Sequence, residues 1–446
     1  MKLVSVALAA EAVVILAVIL TMPYTEINWK AYMEGVEGFL AGDVDYRNLK
    51  NGTGPLVYPG GFVWVYSVLY YLTKKGEAVE LAQWLHAGVY LVTLTMVLRL
   101  YTSSGLTWKT IIPLFVSKRI RSLYVLQLSS DCWAMLFLFA AVSFIAGRPS
   151  RAVTRSRQWF IGCLCYSFAV SIKMDILLFA PGMLYVMLRT LPFWRVVWNL
   201  FVCAALQVAV SLPFLVYDYR AYLAKSVKLD CGLIEQWPVN YRFLDADLVR
   251  RPEFGQALFA MTVATWILLW RTRWAARTYL TDSEAQVLHP AIEETRRQST
   301  LSRGRAHGDE AVDDEAQEQA VYASTLLTFF EANLVGVIFA RSIHYQFYTR
   351  FFYTVPLVLA YTKFPRVLRL MSFALIRQGF ESFPPTPNTS MMLQGGFALA
   401  LFALLFLGRD APEAAKREAK DTARDNAPNL PHAQVTGNAA GKKKIQ

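Results

Sequence analysis

The most constraining feature of the sequence is a series of apolar runs separated by short polar or basic stretches. A transmembrane helix needs about 20 mostly apolar residues, or fewer where interfacial aromatic side chains end it. Hydrophobic residues make up 55% of the 446 positions and charged residues only 17%, which is too apolar for an ordinary soluble domain. The sequence therefore predicts an all-α, polytopic transmembrane helical bundle of about 12 spans. They lie near 3–22, 81–101, 105–118, 123–146, 158–173, 175–190, 194–217, 255–271, 323–341, 349–362, 366–381 and 391–408.

Two apolar runs near the N-terminus need separate treatment. The first lacks a basic region beyond Lys2 and a small-residue cleavage site, so we expect it to remain as a span and not to be removed as a signal peptide. The stretch 61–73 is too short to cross a bilayer and follows Tyr58-Pro59. We expect it to form an interfacial helix within a large first loop, 23–80.

The net charge of +12 indicates a membrane orientation and not a nucleic-acid partner. Lys and Arg residues stand between apolar runs, and short loops rich in them remain cytosolic. The most basic loop is 147–158. Placing it in the cytosol leaves both termini cytosolic, and it puts the glycosylation sequons at Asn51 and Asn388 on the lumenal side. The predicted lumenal segments are 23–80, 218–254, 342–348 and 382–390.

The remaining polar segments are predicted to lie outside the membrane domain, 1–408. The stretch 272–322 is rich in both charge signs and short of aromatic residues, which favours a mobile cytosolic loop. The same composition predicts a disordered cytosolic tail at 409–446. That tail ends Lys443-Lys444-Ile445-Gln446, which resembles the dilysine retrieval signal of endoplasmic reticulum membrane proteins. The alternative is simply a charged chain end.

The five cysteines lie mostly inside apolar runs. No spacing among them repeats as a paired metal site requires. The sequence predicts no metal site, no cofactor and no disulfide framework.

The first predicted lumenal loop is unusually long and carries several carboxylates beside the membrane. A carboxylate in this position has the chemistry of a general base for a sugar hydroxyl. Glu26 is favoured because it follows the first span directly and so lies at a fixed height. The others are more simply interpreted as solvated loop residues: Glu34, Glu37, Asp43 and Asp45.

Several basic residues are predicted at lumenal helix ends, contrary to the usual charge bias. Charge at such positions is costly and is usually paired or functional, and a lipid phosphate would give it a partner. The alternatives are binding of bulk anionic headgroups or a local inversion of the topology, and Asp131 and Asp175 could also simply neutralise the charge. The residues are Lys118, Arg119, Arg121, Lys173, Arg341 and Arg350.

Six segments stand in order along residues 20 to about 362: YTEINWKAYMEGVEGF, TGPLVYPGGFVW, SKRIRSLYVLQL, SIKMDILLFAPG, WPVNYRFL and ARSIHYQFYTRFFYTVP. Together they resemble the motifs of a known enzyme family, the dolichyl-phosphate-mannose-dependent alpha-1,3-mannosyltransferases of N-glycan assembly, glycosyltransferase family 58. The resemblance implies a multi-spanning GT-C fold that uses no metal-bound nucleotide sugar. It also implies two partners, a dolichyl-phosphate mannose donor and a five-mannose dolichyl-pyrophosphate oligosaccharide acceptor.

The resemblance also implies a mechanism and roles. A single inverting displacement would release a phosphate, which basic residues would stabilise. These are Arg119, Arg121, Lys173, Arg341 and His344, while Tyr345 and Trp29 would stack on sugars or, alternatively, anchor the protein at the membrane interface.

The chain departs from the family pattern at one sensitive position. The family reads Glu-Ile-Asp-Trp where this chain has Asn28 between Ile27 and Trp29, and an amide cannot accept a proton as a carboxylate does. Three readings stay open: Glu26 is the base, a neighbouring carboxylate substitutes, or the chain is catalytically impaired.

Two other functions are alternatives at this stage. One is a different dolichol-phosphate-sugar-dependent transferase of the same architecture. The other is a lipid or solute transporter, although the sequence shows no internal repeat of the kind common in transporters.

Overall fold

In the computed structural model of the chain, the described residues are 2–52, 54–147, 155–226, 238–277 and 306–408. Most of them are helical, which confirms the all-α expectation. Two short strands in the first loop, Lys50–Asn51 and Gly54–Pro55, pair antiparallel with Lys50 opposite Pro55.

The α-helices vary from four to 34 residues. They are Lys2–Thr21, Trp29–Leu40, Gly60–Leu72, Val79–Ser103, Trp108–Ile111, Lys118–Arg121, Asp131–Ala146, Arg155–Ile172, Ala180–Thr190, Phe193–Ser226, Ala246–Arg250, Pro252–Leu269, Ala306–Ile338, Tyr348–Phe351, Val355–Ala360, Arg366–Glu381 and Pro387–Phe406. The 3₁₀ turns are Ile112–Phe115, Met174–Phe179 and Tyr345–Phe347, and the π-turns are Ser122–Leu126 and Trp270–Trp274.

Among the described residues, six helices are long and apolar enough to cross a membrane. A seventh span results if Lys118–Leu126 and Asp131–Ala146, which meet at a bend of 110°, count as one broken span. The predicted number of twelve is not confirmed. The six are Val4–Thr21, Val79–Ser103, Phe193–Ser226, Pro252–Trp274, Gln319–Ile338 and Pro387–Phe406.

Two of the predicted spans are broken into short helices. The run 105–118 contains one four-residue helix followed by a 3₁₀ turn with Pro113 in its first turn. The run 349–362 is divided between Tyr348–Phe351 and Val355–Ala360, and Pro356 lies in the first turn of the latter. Apolar composition alone does not reveal such breaks, because Pro removes a helix hydrogen bond while remaining apolar.

The predicted cytosolic loop 272–322 is partly helical. Residues 306–322 continue helix Ala306–Ile338 towards its N-terminus. This corrects the prediction for that part, and its many Ala, Glu and Gln residues are good helix formers. Residues 278–305, the tail 409–446 and most of the basic loop 147–158 lie outside the described residues.

The first loop is a folded unit with its own hydrophobic core. The expected short helix is present at Gly60–Leu72 and packs against Trp29–Leu40. Aromatic rings fill the space between them: Phe62 stacks on Tyr58 and Tyr66 with ring centroids 4.2 and 4.3 Å apart. The indole nitrogen of Trp64 donates to the Val210 carbonyl at 2.7 Å, which ties this core to helix Phe193–Ser226.

A buried ion pair attaches the first helix to the bundle. Most of helix Lys2–Thr21 is exposed, but Glu11 is only 3% exposed and accepts hydrogen bonds from Arg121 Nε at 2.6 Å and Tyr90 Oη at 2.7 Å. Arg121 Nη2 bonds to the second carboxylate oxygen at 3.1 Å. Arg121 is thus paired with Glu11, and its binding of a lipid phosphate stays a prediction.

We expect Glu11→Leu to destabilise the protein by about 3–5 kcal/mol, because it leaves the half-buried Arg121 charge without its carboxylate. Thermal unfolding of the detergent-purified protein measures this. The double variant Glu11→Leu/Arg121→Leu should be more stable than Glu11→Leu alone, since no unpaired charge remains. A double variant as unstable as the sum of the two single variants would contradict the coupling.

Candidate active site

Four ionised side chains meet where the first loop, helix Asp131–Ala146 and the 341–350 segment converge. Asp131 Oδ1 accepts hydrogen bonds from Arg350 Nε at 2.7 Å and Nη2 at 2.6 Å. Its Oδ2 lies 3.3 Å from Lys173 Nζ. Arg350 Nη1 lies 2.7 Å from Asp175 Oδ2. We call these four residues the charge quartet.

Each member of the quartet is positioned by a break in helical structure. Asp131 begins a helix after Leu128, whose φ is +47°, and a carboxylate in a first helical turn is favoured by the helix dipole. Lys173 follows helix Arg155–Ile172 in an extended conformation, which separates it from the 3₁₀ turn that carries Asp175. Arg350 belongs to the short helix Tyr348–Phe351.

The quartet balances its own charge. It contains two carboxylates and two cations, and Arg350 and Asp131 are each only 1% exposed. The cationic charges of Lys173 and Arg350 are therefore balanced by Asp131 and Asp175, and the binding of a lipid phosphate by these two basic residues stays a prediction. Asp175 differs from the other three members because 27% of its side chain is exposed.

Aromatic residues of the first loop cover one side of the quartet. Lys173 Nζ lies 4.6 Å from the centroid of the Tyr58 ring, a cation–π arrangement. Tyr32 packs edge-on against Tyr58 at 5.7 Å, and its hydroxyl accepts a hydrogen bond from Ser130 Oγ at 3.3 Å. Burial raises the pKa of Tyr32, so this phenol stays neutral beside the charges.

A second basic region lies beside the quartet. The guanidinium of Arg119 lies 4.5 Å from the centroid of the Tyr345 ring, and its Nε donates to the Phe380 carbonyl at 3.0 Å. Both hydrogen bonds of Arg119 within the described part of the chain go to carbonyl groups, and the Glu381 carboxylate acts on its charge there without a direct ion pair. Burial raises the pKa of Tyr345, and the positive charges of Arg119 and Arg242 oppose that rise. We call Arg119, Arg242 and Tyr345 the anion region.

The 341–350 segment is held in place by a segment almost 100 residues earlier in the chain. Asn240 Nδ2 donates to the Ala340 carbonyl at 2.7 Å, and Asn240 Oδ1 accepts from the Ile343 amide at 2.9 Å. The Val239 amide donates to the Ile343 carbonyl at 2.8 Å. Because Arg242 follows Asn240 closely, the same docking brings its charge near Tyr345.

The other predicted basic residues are more peripheral. Lys118 is exposed at the start of the short helix Lys118–Arg121. Arg341 is half-buried, and its aliphatic part lies so close to Gly255 that a Cβ there would be 3.2 Å from Arg341 Cδ. The half-buried ring of His344 lies 6.0 Å from the Phe347 ring. Arg341 and His344 share the loop that carries Tyr345.

Trp29, one of the first-loop residues predicted at the site, is buried inside the first loop. It is 2% exposed, donates from its indole nitrogen to the Gly76 carbonyl at 3.0 Å, and packs against Tyr66 and His86. The ring is thus packed inside the first loop, and its stacking on a sugar stays a prediction. Asn28 lies half-buried at the start of helix Trp29–Leu40, and its side chain makes no capping bond.

Glu26 is exposed and is committed to local contacts. Its Oε2 accepts a hydrogen bond from Tyr24 Oη at 2.5 Å, and its Oε1 accepts from the Lys30 amide at 3.2 Å. Burial, followed by the hydrogen bond to Glu26, raises the pKa of Tyr24, so that the phenol remains a donor. Both carboxylate oxygens thus stabilise the entry to helix Trp29–Leu40.

Sequence reasoning missed four important residues. Arg242 lies within the WPVNYRFL motif, and Asn240 two residues before it docks the 341–350 segment. Tyr32 and Tyr58 lie in quoted motifs as well, but nothing in their spacing indicates that they face Lys173. The WPVNYRFL motif had no role assigned to it. The polar residues inside it are the signal that would have singled out Arg242 and Asn240.

The fold and the site define a multi-spanning membrane enzyme with buried charge at one end of its helices. A family model described as ALG3 protein matches residues 5–390, which is most of the chain. The chain belongs to the ALG3 family. The predicted kind of enzyme, an alpha-1,3-mannosyltransferase, is thereby confirmed.

Relatives from three organisms support this membership. The chain is 35% identical to "Dolichyl-P-Man:Man5GlcNAc2-PP-dolichol alpha-1,3-mannosyltransferase l(2)not2" of Drosophila melanogaster, covering 86% of this chain and 87% of that one. The named Dol-P-Man:Man(5)GlcNAc(2)-PP-Dol alpha-1,3-mannosyltransferases of Arabidopsis thaliana and Homo sapiens are 35% and 34% identical. The matches cover 90% and 92% of this chain and 85% and 88% of theirs.

One solved structure is distantly similar, ArnT from Cupriavidus metallidurans bound to undecaprenyl phosphate. Its TM-score is 0.38 at 16% identity, covering 96% of this chain and 80% of that one. A likeness of this extent identifies no ligand of this chain.

We expect Trp29→Ala to lower stability by about 3–5 kcal/mol, as removal of a buried aromatic side chain typically does. Trp29→Phe should be milder, because it keeps most of the ring packing and loses only the hydrogen bond to Gly76. Thermal unfolding of both purified variants checks the order. A fully stable Trp29→Ala protein with impaired sugar binding would return this residue to the substrate site.

Proposed function

We propose that this chain transfers mannose from dolichyl-phosphate mannose to the five-mannose dolichyl-pyrophosphate oligosaccharide, in alpha-1,3 linkage. Membership of the ALG3 family carries this proposal, because the relatives' names specify that donor, acceptor and linkage. The anion region beside a charge quartet supports it, since both substrates present phosphate groups.

The reaction is a single displacement at the anomeric carbon. The acceptor mannose 3-hydroxyl forms a new bond to that carbon while the bond to the donor phosphate oxygen breaks. A beta-linked donor then gives an alpha-linked product, the hydroxyl proton passes to a base, and the phosphate leaves with an additional negative charge. Hydrogen-bond donors that are already positioned around that charge lower the activation barrier of the transfer.

Arg119 is the strongest candidate for contact with the departing phosphate. Among the described residues its hydrogen bonds go to carbonyl groups and it makes no direct ion pair with a carboxylate, and an Arg fork can hold two phosphate oxygens. Tyr345 fixes the guanidinium by stacking and donates its own hydroxyl to the Ser382 carbonyl at 2.6 Å. Arg242, Arg341 and His344 extend the basic surface for the donor phosphate or the acceptor pyrophosphate.

In this proposal the protein has a GT-C architecture and lies in the endoplasmic reticulum membrane, with its active site facing the lumen. Two observations of the sequence support this orientation: the basic loop 147–158 and the sequons at Asn51 and Asn388. Asn388 is exposed at the first turn of helix Pro387–Phe406.

The orientation can be tested with engineered thiols in sealed microsomes. Asp43→Cys, in the first loop, should react with a membrane-impermeant reagent only after the vesicles are opened. Arg157→Cys, in the basic loop, should react in intact vesicles. The reverse pattern would show that the site faces the cytosol.

We expect Arg119→Ala to lower kcat/KM for the donor by about 10- to 100-fold, since a hydrogen bond to a charged group contributes about 1.5–3 kcal/mol. Arg119→Lys should retain more activity than Arg119→Ala because it keeps the charge. Arg250→Ala is the matched control, since Arg250 is an exposed arginine paired with Asp247. Donor kinetics of the purified proteins measure the effect, and an unchanged kcat/KM would remove Arg119 from the phosphate site.

A further inference from the structure

We infer that Asp175 is the general base that accepts the proton of the attacking hydroxyl. This inference rests on the proposed function, because it concerns the proton transfer of that same reaction. The geometry points to Asp175 through two observations: its exposure, and its Oδ1, which has no partner among the described residues.

The carboxylates of the first loop are poorly suited to this role. Glu26 uses both oxygens in local bonds to Tyr24 and Lys30, and Asp45 uses both in bonds to Arg47. Glu34 accepts from the Gly52 amide at 2.7 Å within the loop fold. Asn28 lies near the first span but is an amide, so it cannot take up the proton.

Asp131 is equally unsuitable because it is enclosed. One oxygen receives two hydrogen bonds from Arg350, and the other contacts Lys173 and accepts from Ser129 Oγ at 3.3 Å. A carboxylate engaged at both oxygens and 1% exposed has no free position for a substrate hydroxyl. Its evident function is to hold the cations that surround it.

Asp175 combines a partly exposed carboxylate with a direct contact to the arginine of the quartet. Its Oδ2 lies 2.7 Å from Arg350 Nη1, and within the described residues its Oδ1 has no ion-pair or hydrogen-bond partner. Oδ1 remains open to a hydroxyl. With 27% of the side chain exposed, an acceptor can approach from outside, and the accepted proton can leave to solvent between turnovers.

Asp175 and the anion region are linked by one chain segment. Tyr345 and Arg350 stand at the two ends of one helical segment, and a rise of about 1.5–2 Å per residue separates their backbones by about 8–10 Å. In this proposal the donor phosphate binds at the Tyr345 end, and the attacking hydroxyl at the Arg350 end beside Asp175.

The test uses the full-length protein in detergent, with dolichyl-phosphate mannose and the five-mannose acceptor. We expect Asp175→Asn to reduce kcat by about 10²–10⁴-fold, the usual contribution of general base catalysis, with little change in KM for the donor. Asp247→Asn, an exposed carboxylate paired with Arg250, is the matched control and should behave as wild type.

A second variant covers the case in which Asp175→Asn does not fold. Asp175→Glu keeps the negative charge beside Arg350 but moves the carboxylate by one methylene group. Because small displacements of a reacting group are costly, we expect at least a tenfold lower kcat at an unchanged unfolding temperature. Full activity of the Glu variant, or of a folded Asn variant, would overturn the inference.

Asn28→Asp separates the failure of this inference from that of the proposed function. It should change the rate little if Asp175 is the base. If the unmodified chain is nearly silent and Asn28→Asp raises kcat by 10²-fold or more, the reaction is as proposed but the base belongs at position 28. If neither protein transfers mannose between these substrates, the proposed function itself is wrong.

Discussion

The buried Asp131 carboxylate is the constraint on which the arrangement of the site depends. A charge in an apolar bundle is tolerated only when partners replace the water it has lost. Asp131 obtains Lys173 from the neighbouring helix and Arg350 from 219 residues further along the chain. Removing it would leave two buried cations with only the partly exposed Asp175 between them. Three distant segments are therefore held together by one carboxylate.

The sequence predicted the class of the fold and the family more successfully than the contacts of its polar residues. Apolar runs indicate membrane helices directly, and ordered motifs indicate a family. Pairing is different, because nothing in a single sequence states that Glu11 meets Arg121 or that Asp131 meets Arg350. Both arginines were correctly identified as unusual, but their partners turned out to be carboxylates.

The same limitation applies to the burial of aromatic residues and to helix breaks. Trp29 looked available because it begins a loop helix, yet the loop folds on itself and encloses it. The predicted spans 105–118 and 349–362 looked continuous because proline is not charged. In each case tertiary packing decides the local structure, and amino-acid composition does not reveal that packing. The short helix Gly60–Leu72 was predictable because its length alone excluded a span.

The different partners of the quartet and of Arg119 give the site its chemical direction. In the quartet, positive and negative groups balance, so it has little net attraction for a phosphate. In the anion region, Arg119 is held by carbonyl dipoles and a ring face, which fix its position without cancelling its charge. A substrate with a phosphate at one end and a neutral sugar at the other would therefore orient with its phosphate towards Arg119. That orientation leaves the sugar beside Asp175, the quartet member whose side chain is most exposed.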